Sequence, residues 1–192
     1  MRTNLSKFTE KNVETIRYMS PLVRNLFLEF LCRAAMSPLP LYIRITSGTR
    51  TGEQQDKLYG KGRPWLKKWG RTGRKVTSVR CPRSWHCHGL AADIAPLLRL
   101  STIVYAAWYA TTPFRELDRI ARELLISHPW QNDKPHFHYA NGFDDIDEWI
   151  DAGEPLSEPQ FSPVKKPNEL LRAMKRLGLK VDEDTHLISF PS

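Results

Sequence analysis

The 192-residue sequence lacks several features that mark large classes of protein. It has no apolar run near the ~18–20 residues of a membrane-spanning helix, and its first residues, MRTNLSKFTEKNVETIRYMS, contain no apolar stretch typical of a secretory signal. Its three cysteines, Cys32, Cys81 and Cys87, are irregularly spaced and form no CxxC pair. An odd, irregular set does not indicate a disulfide framework. We therefore expect a chain that is made and folded in the cytoplasm.

Charge of one sign is missing from two stretches of the chain. Residues 57–83 contain ten Lys or Arg and no Asp or Glu, whereas residues 144–158 contain seven acids and no Lys or Arg. Such blocks are usually solvated surfaces. Within a net charge of +8, the basic block also predicts a surface that gathers an anionic partner. Charge alone leaves nucleic acid, anionic lipid headgroups and an acidic wall polymer open.

Hydrophobic periodicity predicts a mixed α+β chain. Four glycines in the basic stretch 60–83 predict a long loop, and four prolines predict an extended linker over 154–167. We expect one folded domain over 1–153, followed by that linker and by a helix and tail over 168–192 that dock on the same domain. The predicted helices cover 21–36, a short segment carrying Gln55, Leu58 and Tyr59, a segment from Thr112 and 168–177, and the predicted strands cover 41–46, 89–96 and 134–139.

The stretch SWHCHGLAADIAP, residues 84–96, places metal-capable side chains before an apparent buried strand. His86 and Asp93 are seven residues apart, which is roughly 23 Å in a strand and roughly 10 Å in a helix. Neither distance lets both residues bind one ion, but a turn at Gly89 would bring them together. A buried Asp93 needs a partner, and a metal, an arginine or backbone amides would each serve. The stretch alone leaves these choices open.

A second cluster, NDKPHFHY over residues 132–139, favours the metal. His136 and His138 would share one face of a strand, and Asp133 lies three residues before His136. A zinc ion with an open position takes three protein ligands. The chain offers His86, Asp93 and His136 as such ligands, with Asp133 as a nearby carboxylate. The ordinary alternative is a strand whose histidines are satisfied by their neighbours, and His138 competes with His136 as third ligand.

The sequence resembles a known family at three places. Ser84, His86, Gly89, Ala91 and Asp93 match S-x-H-x-x-G-x-A-x-D in full. This motif resembles the zinc site of the VanY-like D-Ala-D-Ala carboxypeptidases and of the L-alanyl-D-glutamate endopeptidases found in bacteriophage endolysins. The stretch ITSGTRTGEQQDKLYGKGR is similar to the family's S-G-Y-R-S segment, and DKPHF to its D-x-P-H-F segment. The resemblance covers about residues 12–140.

The resemblance implies a fold, a metal and a reaction. The fold would be a small antiparallel sheet with flanking helices that carries a single zinc site, and the 1–153 domain would be a zinc peptidase domain. His86, Asp93 and His136 would bind one zinc ion per chain, and Asp133 would be the general acid and base. Arg50 would line the site and steady the substrate and the developing oxyanion. The substrate would be the stem peptide of peptidoglycan.

The chain departs from the family pattern around the substrate groove. Thr49 stands where the family usually has Tyr, and His138 stands where it usually has Glu or Gln. Gln55, Ser84 and His138 are candidate substrate-binding residues. Cys87 is expected to be a bystander thiol and His88 a loop residue, and His128 and His186 have no cluster around them.

We expect a phage or prophage endolysin, a bacteriolytic enzyme that acts as an L-alanyl-D-glutamate endopeptidase. A D-Ala-D-Ala carboxypeptidase and a non-catalytic wall- or nucleic-acid-binding protein are the alternatives. The expected partners are peptidoglycan and, through residues 57–83, an anionic cell-wall or outer-membrane surface. We expect a monomer that does not bind nucleic acid and that reaches the wall through a holin-like pore.

Overall fold

The computed structural model describes residues 9–38, 42–100, 103–106, 111–129, 133–143, 145–153 and 157–190. The predicted positions at Leu41, Asn132, Asp144 and 154–156 lie outside the described residues. None of the described helices is long and apolar enough to cross a membrane. The helices are α1 (Glu10–Arg17), α2 (Pro21–Met36), α3 (Gly52–Gly60), a 3-10 helix (Trp85–His88), α4 (Thr111–Glu123), α5 (Ile146–Ala152) and α6 (Asn168–Arg176). The strands are β1 (Tyr42–Ser47), β2 (Ala91–Leu100), β3 (Ile103–Ala106), β4 (His136–His138), β5 (Lys180–Val181) and β6 (Ile188–Ser189).

The α+β prediction is confirmed, and the main helix is the predicted one. Pro21 opens α2 at its first turn, where a missing N–H costs nothing. Most of the sixteen residues of α2 are buried, so this helix forms the centre of the core instead of a surface layer. It packs against α1, α4 and β1. The sequence patterns did not predict α1, β3, α5, β5 or β6.

Strand β2 is the middle of a four-stranded antiparallel sheet. Strand β1 pairs along one edge of β2, with Ser47 opposite Asp93. On the other edge, β4 pairs with the first residues of β2 and β3 with its last residues. Asp93 thus lies between Ser47 on one side and His136 on the other.

Side-chain alternation gives β4 two different faces. Phe137 is fully buried, and its ring contacts Phe30 of α2 with 5.4 Å between centroids. Because successive side chains of a strand point to opposite faces, His136 and His138 lie on the face away from α2. The helical core therefore supports the back of β4, and its front is left for polar groups.

The C-terminal residues pack on α2. Lys166 is buried and forms an ion pair with the buried Glu29, whose other carboxylate oxygen accepts a hydrogen bond from the backbone of Val164. Leu170 and Met174 of α6 join the same core cluster. Asn168 begins α6, but the helix has no side-chain cap. These contacts join 164–174 to the core, and the division of the chain into a domain, a linker and a tail stays a prediction.

Helix α3 ends at Gly60, and residues 61–83 contain no helix or strand in this structure, as the glycines of the segment predicted. It nevertheless has a defined course, because Lys61 and Arg71 form a β-bridge. A Cβ atom on Gly60 would lie 1.9 Å from the carbonyl oxygen of Trp69, so only glycine allows this close approach. The segment is a folded lobe beside α3, and we call residues 60–80 the basic lobe.

The structure contains one disulfide, which the cysteine pattern did not predict. Cys81 and Cys87 are joined by a disulfide, and the buried Cys32 is the free thiol among the described residues. The odd number of cysteines argued against a framework of several bridges, but it does not exclude one local bridge across a turn. The expectation that Cys87 is a bystander thiol is wrong for the same reason.

Candidate metal centre

Three side chains direct donor atoms at one point on the front of the sheet. His86 Nε2 lies 3.1 Å from His136 Nδ1 and 3.2 Å from Asp93 Oδ1. His136 Nδ1 lies 3.5 Å from the same Asp93 oxygen. His86, Asp93 and His136 are the three residues that the motifs predicted, and they form the metal-capable cluster found among the described residues.

The fold explains why these residues meet. Asp93 and His136 are directly opposite each other in the β2–β4 pair, and such pairs bring Cβ atoms to about 4.5–5.5 Å. His86 lies on the 3-10 helix before β2, and Gly89 reverses the chain with φ of +69°. A Cβ atom on Gly89 would lie 2.7 Å from the backbone nitrogen of Ser20. The predicted turn at Gly89 is therefore confirmed, and only glycine fits there.

Two outer contacts aim the donor atoms. His86 Nδ1 lies 2.7 Å from the carbonyl oxygen of Gly48, and it must donate its proton there because a carbonyl only accepts. His86 Nε2 then keeps its lone pair for the cluster. Arg50 binds the other carboxylate oxygen of Asp93, Oδ2, so Oδ1 is the atom left facing the histidines. Such outer partners fix ring orientation and tautomer at metal sites.

The separations of the donor atoms fit a tetrahedral ion. Zinc bonds of about 2.0–2.1 Å at tetrahedral angles put neighbouring ligand atoms about 3.3 Å apart. The three observed separations, 3.1, 3.2 and 3.5 Å, scatter around that value. Two histidines and one carboxylate also leave a fourth position for water or substrate. The residues present therefore suit a divalent ion with one open position.

Electrostatics keep Asp93 ionised and give Asp133 a different character. Burial alone would raise the pKa of Asp93, but its contacts with the rings of His136 and His86 and the charge of Arg50 outweigh burial and hold that pKa well below its ordinary value. Burial raises the pKa of Asp133, and the nearby charge of His136 offsets this only in part. Asp93 thus suits a permanent ligand, whereas Asp133 takes up a proton more readily.

The cluster lies in a groove of about 790 Å³. Arg50, Ser84, Asp133 and His138, which the sequence singled out, all line it. Residues 75–79 at the end of the basic lobe and Asp145 with Ile146 at the start of α5 complete its walls. The groove therefore joins the cluster to the basic lobe.

Gln55 does not lie in this groove. Its side chain is fully buried, and it accepts a hydrogen bond from Arg50 Nη1 (3.3 Å) and donates one to the carbonyl of Val79 (2.9 Å). In this structure Gln55 orients Arg50 and anchors the basic lobe, and direct contact with a substrate is blocked by burial. The sequence placed it correctly beside Arg50, and the substrate-binding role stays a prediction that this burial does not support.

His138 lies beside the cluster and not within it. Its ring stacks on Trp85, with 5.1 Å between centroids. Burial and then the neighbouring His136 and His86 lower its pKa to about 3, so the ring is neutral. Its Nδ1 is buried without a hydrogen-bond partner among the described residues. His88 also stays apart, with Nε2 2.7 Å from the carbonyl oxygen of Pro82.

A second histidine–aspartate pair lies behind β4, where no cluster was expected. His128 Nδ1 lies 3.1 Å from Asp118 Oδ1, and its Nε2 lies 2.7 Å from the carbonyl oxygen of Lys134. The ring stacks on Phe137 with 4.1 Å between centroids. The expectation that His128 has no cluster is therefore wrong. Both ring nitrogens face protein acceptors, so this pair braces the turn that carries Asp133.

The contacts that organise the site have little or no signal in the sequence. His86 Nδ1 donates to a backbone carbonyl, that of Gly48. Every residue has such a carbonyl, so residue type does not identify this acceptor. Ser47 Oγ accepts from Arg50 Nε at 2.9 Å, and the spacing of Ser47 and Arg50 in the SGTR segment was the available signal. The stack of Trp85 on His138 could not be foreseen, since the two residues are 53 positions apart in the chain.

Comparison with known proteins gives a likeness to solved structures alone. No protein-family model matches the chain, and no curated protein matches it. Among solved structures, the chain is similar to the crystal structure of Serratia marcescens L-Ala D-Glu endopeptidase ChiX. The two share 19% identity, the match covers 69% of this chain and 89% of that one, and the TM-score is 0.44.

Proposed function

We propose that this chain is a zinc peptidase that cleaves the stem peptides of peptidoglycan, as an L-alanyl-D-glutamate endopeptidase of the endolysin type. The observation that carries the proposal is the triangle of donor atoms from His86, Asp93 and His136, with separations that suit zinc. Two further observations agree with a hydrolase. An acid with raised pKa, Asp133, lines the groove beside the triangle, and so does the guanidinium of Arg50.

The residues of the chain would divide the work as follows. When bound, zinc supplies a Lewis acid that makes water nucleophilic near neutral pH. Asp133 accepts a proton from the attacking water and later delivers it to the leaving amine, a role worth typically about 10²- to 10⁴-fold in rate. Arg50 keeps Asp93 oriented and adds positive charge where the carbonyl oxygen becomes negative. His138, held neutral, offers one ring N–H to a substrate in the groove.

The bond that is cut is tested directly. Purified peptidoglycan is digested with the full chain, and the fragments are analysed by mass. A peptide fragment with a new N-terminal D-glutamate, together with a glycan fragment that ends in L-alanine, supports the proposal. Release of single D-alanine indicates the carboxypeptidase instead. Loss of cleavage with a chelator and its return with zinc support the metal. Because two histidines and a carboxylate also suit ferrous iron, metal analysis of the purified protein includes iron. No cleavage by zinc-loaded protein contradicts the proposal.

We also propose that the basic lobe brings the enzyme to its anionic wall or outer-membrane surface. Three cations of the 57–83 segment have acidic partners: Lys57 with Glu53, Arg80 with Asp56 and Arg83 with Asp147. In the part of the chain that the structure describes, no ion pair involves the lobe's exposed cations Lys61, Lys67, Lys68, Arg71, Arg74 and Lys75. Trp65, 68% exposed, projects among them. The lobe thus adds net positive charge next to the groove.

A charge-neutralised variant separates attachment from chemistry. Changing Lys67, Lys68, Arg71 and Arg74 to Gln should weaken lysis of whole cells and make it less sensitive to salt, because exposed charges are screened beyond about 8 Å at physiological ionic strength. Cleavage of a short soluble stem peptide should stay unchanged. Equal loss on both substrates would assign the lobe to the active site. Tight, salt-sensitive binding of duplex DNA without wall cleavage would favour a nucleic-acid-binding protein.

We further propose phage or prophage origin, synthesis in the host cytoplasm and release to the wall through a pore made by another protein. The chain would act as a monomer. Expression inside cells with and without a pore-forming protein tests this route, since lysis should require the pore.

A further inference from the structure

We propose that the Cys81–Cys87 disulfide is a positioning element of the candidate metal centre, so that the oxidised chain binds the ion tightly and the reduced chain binds it weakly. The inference rests on the proposed function for the identity of the ion. It concerns residues that the motifs did not assign, and it connects the metal site to the redox state of its surroundings.

The disulfide closes a small ring of chain that contains His86. The two cysteines are six positions apart, with 6.0 Å between their Cα atoms. Inside the ring, the backbone of Ser84 donates to the carbonyl of Pro82 and that of Cys87 donates to the carbonyl of Ser84, both at 2.8 Å. Ser84, Trp85 and His86 are all buried. The turn that presents His86 is thus covalently closed around its buried residues.

The chain entering this ring has few other attachments to the core. Residues 61–80 contain no helix or strand. The end of this stretch is joined to α3 by hydrogen bonds from Gln55 Nε2 to the carbonyl of Val79 and to Thr77 Oγ1, and by the ion pair of Arg80 with Asp56. The buried Arg63 also donates to the carbonyls of Tyr59 and Thr77. The Arg80 side chain is 58% exposed, and exposed ion pairs contribute little. These contacts are all noncovalent, and the disulfide is the covalent tie between the incoming chain and the turn.

Reduction would release this turn. The open chain regains conformational freedom that the bridge had removed, and in some of those conformations His86 Nε2 no longer faces Asp93 and His136. The apparent Kd for the ion equals the intrinsic Kd divided by the fraction of molecules that are competent to bind. If about one tenth of the molecules are competent, binding is about tenfold weaker. The same turn also positions Arg50, whose backbone N–H donates to the carbonyl of His86 at 3.0 Å.

The redox step is an ordinary thiol–disulfide exchange. Two thiols, Cys81 and Cys87, lose two protons and two electrons and form one S–S bond. The electrons reduce a disulfide oxidant such as oxidised glutathione to two thiols. A reducing compartment would hold the chain in its weakly binding form, and an oxidising one would convert it to the tightly binding form.

The test compares the full-length parent with Cys81→Ser/Cys87→Ser and with Cys32→Ala as the matched control. Cys32 is buried on α2 and contacts Met174, so its loss removes a thiol without touching the turn. Zinc affinity is measured by competition with a chromogenic chelator and no thiol reductant. The double variant should bind zinc about tenfold or more weakly, and Cys32→Ala should match the parent. The reduced parent, freed of reductant, is a second preparation in case the variant folds poorly.

Amide hydrogen exchange of residues 86–89 in the metal-free proteins gives a readout that does not need the ion. Faster exchange in the double variant than in Cys32→Ala supports positioning, and equal exchange with equal zinc affinity overturns it. Three free thiols in the denatured, air-oxidised parent, instead of one, also overturn it. If no form binds zinc, the proposed function fails, and the exchange comparison alone decides whether the disulfide holds the turn.

Discussion

Two pairings of histidine with aspartate lie on opposite faces of β4, and they differ in what surrounds their polar atoms. On the front, His86 and His136 direct one ring nitrogen each toward Asp93 Oδ1. Behind the strand, both ring nitrogens of His128 face protein acceptors, Asp118 and the carbonyl of Lys134. The difference teaches that residue type does not define a metal site. At the front, donor atoms of three side chains converge on one point, and contacts with Gly48 and Arg50 hold two of these side chains, His86 and Asp93, in that orientation.

The two pairs also differ in what depends on them. The front cluster would bind an ion, so its loss should abolish metal binding. The back pair supports the backbone at Lys134, next to Asp133, so its loss should lower stability. Five variants test this division, beginning with the largest expected effect.

Removal of a front histidine should have the largest effect. His86→Ala and His136→Ala each delete one of three ligands, so zinc affinity should fall by more than the about 10- to 100-fold typical of outer-shell losses. Peptidase activity should disappear with it, and zinc should no longer raise the melting temperature. Metal analysis and thermal melts with and without zinc measure this. Full zinc occupancy in His86→Ala would refute the ligand assignment.

Asp133→Asn should separate metal binding from chemistry. Asparagine keeps the shape but accepts no proton, so cleavage should slow by about 10²- to 10⁴-fold. Zinc content and melting temperature should match the parent, since Asp133 is outside the triangle of donor atoms. Cleavage rates are measured on the same peptidoglycan for both proteins. Loss of zinc in this variant would make Asp133 a ligand, and near-parental activity would require another base.

His128→Phe should give the opposite pattern from the front histidines. Phenylalanine can keep the ring stack on Phe137, but it leaves Asp118 and the carbonyl of Lys134 without their histidine partner. The free energy of unfolding should fall by about 1–3 kcal/mol, while zinc content stays at the parental level. Urea denaturation of the metal-free proteins measures the change. If this variant loses zinc and keeps its stability, the back pair contributes to metal binding, and the assignment of metal binding to the front cluster alone is wrong.

His138→Ala should have the smallest effect on the metal. The side chain stacks on Trp85 and lies outside the triangle of donor atoms, so zinc content should not change. Any loss should appear as a higher KM for stem peptide, because the groove loses an N–H donor. If His138→Ala loses zinc while His136→Ala retains it, the third ligand from β4 is His138 and not His136.

Local sequence patterns predicted the elements that carry the site. Apolar spacing predicted α2 at its observed bounds, alternation predicted β1 to within one residue, and a buried apolar run predicted the start of β2 to within two residues. The turn at Gly89 was predicted because His86 and Asp93 are too far apart in any straight element. The short strands β5 and β6 were missed because two residues carry no periodicity. Helix α5 was missed because its acids suggested only a solvated face.

The candidate site was predicted as a set of residues but not as an arrangement. The motifs named His86, Asp93 and His136, and the structure brings them together. Gln55 was assigned to substrate binding because it matches a glutamine position in the family that the sequence resembles. Only packing shows that its amide is buried and forms hydrogen bonds with Arg50 and with the carbonyl of Val79. The Cys81–Cys87 bridge was missed since counting cysteines says nothing of a single local pair.

The sequence by itself determined which residues have the chemistry to bind a metal and which turn lets them meet, because residue type and backbone freedom are local properties. It also determined that β4 has a polar front and an apolar back, since alternation follows from the strand repeat. Only the tertiary structure decided that His136 pairs across from Asp93 and that His128 is satisfied behind the same strand. Strand register and the contacts of a buried ring depend on residues far away in the chain, so no local pattern contains them.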